Sequence, residues 1–287
     1  MSQSDPDNFD GLRVAAFEAR MAGPMAGLIA RHGGVPIEAT ALREVPLGGN
    51  PVINAFADRL LSGTFDVVVF ETGVGVRYLA EAIESRIERE AWLAALDRVK
   101  VVARGPKPTA ALRALGVRVD VQVPEPNTWR ETLAALDAHL PVEGKQVALQ
   151  EYGQSNRDLI DGLESRGAVV APVPVYRWAL PEDLGPIRRA IAAIIAGDIG
   201  VALFTSAQQV VHLLQVAAED GAEADLRAAL ARSTVVGSIG PTTSECLRAH
   251  GLPVDVEPEH PKMGPLVAAA AAGWRAVGKA AAPRSGD

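Results

Sequence analysis

The chain has little from which to build a covalent or metal framework. A single cysteine, Cys246, in 287 residues excludes an internal disulfide network, and the five histidines (His32, His139, His212, His250, His260) share no ligand spacing with it or with one another, so no metal site is expected. Basic residues are outnumbered: 28 Lys and Arg against 35 Asp and Glu give a formal charge of −7, and no Lys/Arg cluster stands out. A nucleic-acid or anionic-membrane partner is therefore not expected. The longest late apolar stretch, Leu266 to Trp274, falls well short of the ~20 residues a membrane span needs. Met1 to Asp10 is polar and lacks the basic and apolar blocks of a signal peptide, which points to a cytoplasmic protein. No strand is followed by G-x-G-x-x-G; Gly73 and Gly75 give only a fragment of that phosphate-cradling turn, too little for a dinucleotide site.

What the chain does have is a copy of itself. Gly105 to Val121 (GPKPTAALRALGVRVDV) lies without a gap on Gly240 to Val256 (GPTTSECLRAHGLPVDV), with nine of seventeen pairs identical. The register extends upstream, where Phe65 to Val76 (FDVVVFETGVGV) falls on Ile199 to Val210 (IGVALFTSAQQV) and Val14 to Val35 falls loosely on Val147 to Val169. A period above a hundred residues is too long for a solenoid, so each copy is expected to be a domain with its own core. A 48% apolar content is enough to bury two.

Short β-branched runs alternate with Ala/Leu/Arg stretches of helical period. Val14 to Phe17, Val67 to Phe70, Val99 to Ala103, Val117 to Val121, Val147 to Leu149, Val169 to Val175, Val201 to Phe204 and Val235 to Ile239 read as strands. Met25 to Arg31, Val76 to Ile87, Thr109 to Leu115, Asp158 to Arg166, Ala207 to Ala218 and Thr243 to Ala249 read as helices, and Glu81 to Arg98 as a charged helix burying Trp92 and Leu96. This alternation implies an α/β fold of parallel sheets with crossover helices. Two proline-punctuated extended stretches, Ile37 to Leu47 and Ala171 to Leu180, break the rhythm at matching places and read as a paired linker. Cys246, one turn into a helix, reads as buried and inert.

Ligands of open parallel α/β sheets sit where strands turn into helices, because backbone N–H groups and helix dipoles point outward there. Four such turns match between the repeats: Phe70-Glu71-Thr72-Gly73, Arg104 to Thr109, Phe204 to Ala207, and Ile239 to Thr243. Glycine lets a ligand approach the backbone, while Ser and Thr either cap the helix or donate to an anion's oxygen. Capping alone explains any one turn; four equivalent turns facing a common cleft favour a polyanionic ligand.

Strand-FTSA-helix followed by strand-IGPTTSECLRAHGLPVDVEPEHP, with VPVYRW before them, resembles the uroporphyrinogen-III synthase family over about Arg13 to Trp274. The resemblance implies two pseudo-repeated parallel-sheet α/β domains joined by a two-stranded linker, with a cleft between them. Residues 11–38 and 182–275 then form a discontinuous domain 1, 48–171 form domain 2, 39–47 and 172–181 are linker strands, and 1–10 and 276–287 are flexible tails. It implies further a cofactor-free reaction in which linear hydroxymethylbilane loses its hydroxyl, its terminal ring inverts through a spiro intermediate, and the macrocycle closes to uroporphyrinogen III. The partner is then a small octacarboxylate, and a monomer is expected.

Tyr176 matches the family's linker tyrosine, thought to give its proton to the departing hydroxyl; a phenol with an ordinary pKa of about 10 is protonated at neutral pH and can donate. Packing at the linker is the alternative reading of its ring. The substrate's carboxylates are expected at Thr72, Gly73, Arg104, Gly105, Thr109, Gln154, Ser155, Asn156, Thr205, Ser206, Ala207, Gly240, Pro241, Thr242 and Thr243. The chain departs from the family pattern at three acids: Glu18, Glu71 and Glu151 stand where Arg, Ser or Thr is common. They either repel a polycarboxylate or pair with Arg20, Arg77, Arg104 or Arg157. From those acids follows a second reading, a ligand-sensing module that closes on a tetrapyrrole or another small ligand without turnover.

Overall fold

Parallel strands and helices alternate along the chain, and a computed structural model describes residues 7–153 and 155–279. From the N-terminal side run β1 (Arg13–Ala16), α1 (Ala22–Arg31), β2 (Val35–Glu38), β3 (Arg43–Pro46), α2 (Pro51–Leu61), β4 (Val67–Phe70), α3 (Gly73–Glu84) and α4 (Arg89–Leu96). They are followed by β5 (Lys100–Ala103), α5 (Pro106–Ala114), β6 (Val121–Gln122), α6 (Trp129–His139), β7 (Gln146–Glu151), α7 (Arg157–Glu164), β8 (Val169–Pro174) and β9 (Tyr176–Ala179). The series ends with α8 (Gly185–Ile195), β10 (Val201–Phe204), α9 (Ala207–Glu219), α10 (Glu223–Arg232), β11 (Val235–Ser238), α11 (Pro241–Ala249) and α12 (Met263–Val277).

Two compact units result. One takes the chain up to Arg43 and from Ala179 on, the other Glu44–Trp178. The first is built on a four-stranded sheet of order β11-β10-β1-β2, the second on a five-stranded sheet of order β6-β5-β4-β7-β8, and every pairing within them is parallel. The chain passes between units at β3 and β9, which form a separate two-stranded sheet. Central strands are apolar throughout because helices cover both faces of a parallel sheet: all four residues of β4 and of β10 are buried.

The internal repeat is legible in the hydrogen bonds. Under its register β10 and β11 correspond to β4 and β5, and β1 and β2 to β7 and β8, so the two sheets share one strand order. Asp120 accepts from the N–H of Val101 at 2.8 Å, and its repeat mate Asp255 accepts from Val236 N–H at 2.9 Å. The β5–β6 pairing Val102↔Val121 recurs as a single bridge, Gly237↔Val256. Prolines fall on edge strands in both units, Pro36 in β2 and Pro172 and Pro174 in β8, where a missing N–H costs least.

Several expectations need correction. The strand expected over Val117 to Val121 shrinks to Val121–Gln122, because Arg118 reaches back to the carbonyls of Asp97 and Val99 and the Asp120 side chain takes the N–H of Val101 that a ladder would use. The charged helix over Glu81 to Arg98 is two helices: α3 ends at Ser85, whose hydroxyl donates to Ala82 O, and extended Glu88 starts α4. Trp92 and Leu96 are buried on α4 as expected. The strand β8 stays in its sheet as far as Pro174, past the expected start of the linker at 172. Of the segments expected as flexible tails, the described ends pack: Phe9 is fully buried, α12 runs to Val277, and Lys279 ion-pairs with Asp255 at 2.7 Å. Cys246 is half-buried, and burial pushes its thiol above the ordinary value. Among the described residues no helix is long and apolar enough to cross a membrane, and no group of three or more His, Cys, Asp or Glu could hold a metal ion.

Candidate functional site

In the order β6-β5-β4-β7-β8 the connections of β4 and β7 leave in opposite directions, and the carboxyl ends of such neighbours are where open α/β sheets bind ligands. Both ends carry acids here. Glu71 follows β4 and Glu151 ends β7, 2% and 6% exposed respectively. Arg104, after β5, donates from Nη1 to Glu71 Oε1 at 3.0 Å, and Asn156 Nδ2 donates to the same oxygen at 2.9 Å. Asn156 is also the N-cap of α7, accepting from Leu159 N at 3.3 Å. Glu71 Oε2 and Glu151 Oε1 are buried without a partner. Burial pushes the Glu71 carboxyl up to about 7; the Arg104 charge and the Asn156 bond pull the other way, while the charge of Glu151 adds to the rise. The guanidinium of Arg104 lies over the Tyr152 ring at 4.4 Å, and burial raises that phenol against the pull of Arg104.

Beside this cluster, Thr72 caps α3 by accepting from Gly75 N at 3.0 Å, and its hydroxyl lies 3.4 Å from the Tyr176 hydroxyl. The Tyr176 ring is buried, 5.8 Å from that of Tyr78 and 6.4 Å from that of Trp178. Gln150 accepts from Thr72 N at 3.4 Å, and Gly75 leaves it room: a Cβ there would come within 2.5 Å of the Gln150 amide. Gly73 abuts Lys107, whose carbonyl oxygen would lie 2.6 Å from an added Cβ.

In the first unit the corresponding strand ends are β1 and β10. Phe17 and Phe204, fully buried and stacked at 4.8 Å, fix the two turns. Glu18 accepts the hydroxyl hydrogen of Thr205, and Gln209 clasps Thr205 twice, accepting from its N–H at 2.7 Å and donating to its hydroxyl oxygen at 2.8 Å. Ser206 caps α9 without a side-chain bond, and its buried hydroxyl has no partner. At the third turn, Gly240 begins α11 with Pro241 at its first position, and the Ser244 hydroxyl lies between that of Ser238, at 2.8 Å, and the Glu257 carboxylate.

The structure brings Thr72, Gly73, Arg104, Asn156 and Tyr176 to the strand ends of the second unit, and Thr205, Ser206 and Ala207 to those of the first. Others are already engaged. Thr109 is buried and spends its hydroxyl on Gly105 O at 2.8 Å. Thr243 is buried and Thr242 exposed, so the adjacent threonines point to different surroundings. Ser155 is exposed, and Gln154 lies outside the described residues. Of the three acids, Glu71 takes the pairing with Arg104, Glu18 takes Thr205, and Glu151 keeps an unpartnered oxygen. Gln150, Tyr152 and Gln209 escaped the sequence reading. Gln209 faces Gly75 in the repeat alignment, a signal that both copies spend that position on glutamine packing.

A family model described as Uroporphyrinogen-III synthase HemD matches residues 23–268. "Uncharacterized protein YjjA" of Bacillus subtilis (strain 168) is 27% identical over 260 residues, spanning 90% of this chain and 94% of that protein. A Methanothermobacter thermautotrophicus protein named "Putative uroporphyrinogen-III synthase" is 32% identical over 210 residues, 72% of this chain and 78% of its own. Among solved structures, a mutant uroporphyrinogen III synthase of Thermus thermophilus has a TM-score of 0.67 at 24% identity, covering 90% of this chain and 96% of that one. The wild-type protein in another crystal form has a TM-score of 0.54 at 27% identity, covering 93% and 99%.

Proposed function

The chain belongs to the uroporphyrinogen-III synthase family, and from that premise we propose that it closes hydroxymethylbilane to uroporphyrinogen III. The observation that carries the proposal is Tyr176: its hydroxyl lies 3.4 Å from that of Thr72 at the strand ends where ligands of such sheets bind. In the proposed reaction Tyr176 gives a proton to the departing hydroxyl, which leaves as water. The substituted carbon of the terminal ring attacks the cation left behind; the resulting spiro intermediate breaks that carbon's original methylene bond, the ring's free carbon attacks the methylene cation so released, and the proton lost on closure balances the one Tyr176 gave. Without a cofactor, the protein contributes conformer selection and exclusion of water.

In the second unit the substrate's carboxylates are taken by main-chain N–H groups at the start of α3, with Thr72 as hydroxyl partner. Helix N-termini hold carboxylates without a surplus of Lys and Arg, which reconciles an acidic chain with an anionic substrate. Product identity tests the proposal: hydroxymethylbilane is supplied, the products are oxidised, and the porphyrin isomers are separated. A second reading, a tetrapyrrole-sensing module without turnover, is favoured by one observation, the commitment of Arg104 to Glu71. Tight tetrapyrrole binding with no isomer III would select it.

A further inference from the structure

In the repeat alignment Glu71 falls on Thr205 and Arg104 on Ile239. At these aligned positions the second unit therefore has a cation where the first has an isoleucine, and a carboxylate where the first has a hydroxyl. The surroundings of Glu71 are those a bound carboxylate needs: a guanidinium at 3.0 Å and an amide donor at 2.9 Å converge on one oxygen, and the Arg104 guanidinium lies over the Tyr152 ring. Charge-assisted donation from a fixed guanidinium is the strongest ordinary recognition of a carboxylate. The Glu71 side chain is fully buried and that of Arg104 19% exposed, while Glu71 Oε2 has no donor. A carboxylate half unsatisfied and fully desolvated is a poor stabilising element.

We infer that Glu71 is an internal ligand: its side chain fills a carboxylate seat formed by Arg104 and Asn156, so the second unit takes one external carboxylate fewer. Resting on the tetrapyrrole reading, this makes Glu71 a specificity determinant that biases the chain toward tetrapyrroles with fewer acid side chains. Glu71→Thr, which installs the residue of the other repeat, vacates the seat; Glu71→Gln keeps it filled with a neutral isostere.

The test is fluorescence titration of purified wild type, Glu71→Thr, Glu71→Gln and Glu71→Thr/Arg104→Met with the octacarboxylate uroporphyrin I and the tetracarboxylate coproporphyrin I, folding being checked by circular dichroism. Glu71→Thr is expected to shift preference toward uroporphyrin by about tenfold, the scale of one charge-assisted contact, and the added Arg104→Met to abolish the shift. An unchanged preference, or an equal shift in Glu71→Gln, overturns the inference, since charge removal alone would then account for it. A second arm stands apart from tetrapyrroles: sodium formate, against sodium chloride at equal ionic strength, is expected to raise the unfolding temperature of Glu71→Ala but not of Glu71→Ala/Arg104→Met. Absence of a formate-specific rise overturns the seat even where porphyrin binding is seen. Failure of wild type and every variant to bind either porphyrin counts against the tetrapyrrole reading and leaves the formate result to decide.

Discussion

Replacing Glu71 by glutamine should change how the protein's stability responds to pH. Its carboxyl stands at about 7 in the fold against an ordinary 4.5. The folded state therefore holds a proton that the unfolded chain has released between those values. A raised folded-state value contributes stability that is fully present below the unfolded value and is lost as pH rises through the folded one. At about 1.4 kcal/mol for each tenfold change in proton affinity, the loss from pH 4.5 to above 7 amounts to about 3 kcal/mol. His212 acts in the opposite sense over part of that window: burial lowers its value, although its ring donates toward Ala41 O at 2.7 Å. Wild type alone would thus show a muted slope. The difference between wild type and Glu71→Gln cancels His212 and every other shared group. Urea unfolding at a series of pH values from 4 to 8.5 should show the variant gaining about 3 kcal/mol on wild type across the series. Curves that stay parallel within about 0.5 kcal/mol would refute the burial argument.

Other perturbations are equally specific. Tyr176→Phe removes only the hydroxyl and should cut turnover by about a hundredfold or more with little change in Tm; unchanged turnover would remove it from the chemistry. Gly73→Ala brings a Cβ to 2.6 Å from a backbone carbonyl and should cost about 1–3 kcal/mol in urea unfolding, whereas a neutral effect would mean that α3 and α5 can part freely. Asp120→Ala and Asp255→Ala each orphan a strand N–H at about 1–3 kcal/mol; Asp255 should cost more, since its ion-pair partner Lys279 is 17% exposed whereas Lys100 and Arg118, which pair with Asp120, are 54% and 42% exposed. Burial raises the Asp120 carboxyl, but the Val101 N–H, Lys100 and Arg118 together hold it below the usual 3.8. Its contribution is present above that value and lost as pH falls through the lower folded one, so Asp120→Asn should flatten acid unfolding below about pH 4.

The repeat was the most legible part of the sequence, because it follows directly from aligned turns: Gly105 and Gly240 both start a helix with proline at its first position, and Asp120 and Asp255 make the same bond. Central strands were legible too, since β4 and β10 are apolar runs bounded by turn residues. Periodicity does not mark helix α6, which the Thr128–Glu131 capping box announces, nor α2, which Asn50-Pro51 announces as an N-cap followed by proline at the first position. Phe9 gave no warning of burial, being a lone aromatic in a polar segment. The Glu71 cluster was only half legible. The acids stood out as departures, but which arginine answered them depended on sheet order, which joins positions 71, 104 and 156 across three strand ends.

Turnover of hydroxymethylbilane decides the proposed function. Purified protein is given freshly prepared hydroxymethylbilane at neutral pH, with Tyr176→Phe and a protein-free blank alongside. The oxidised products are resolved chromatographically into uroporphyrin isomers I and III. Isomer III is expected as the main product of wild type, isomer I from the blank, and a mixture dominated by isomer I from Tyr176→Phe. Isomer I alone from folded wild-type protein would contradict that function.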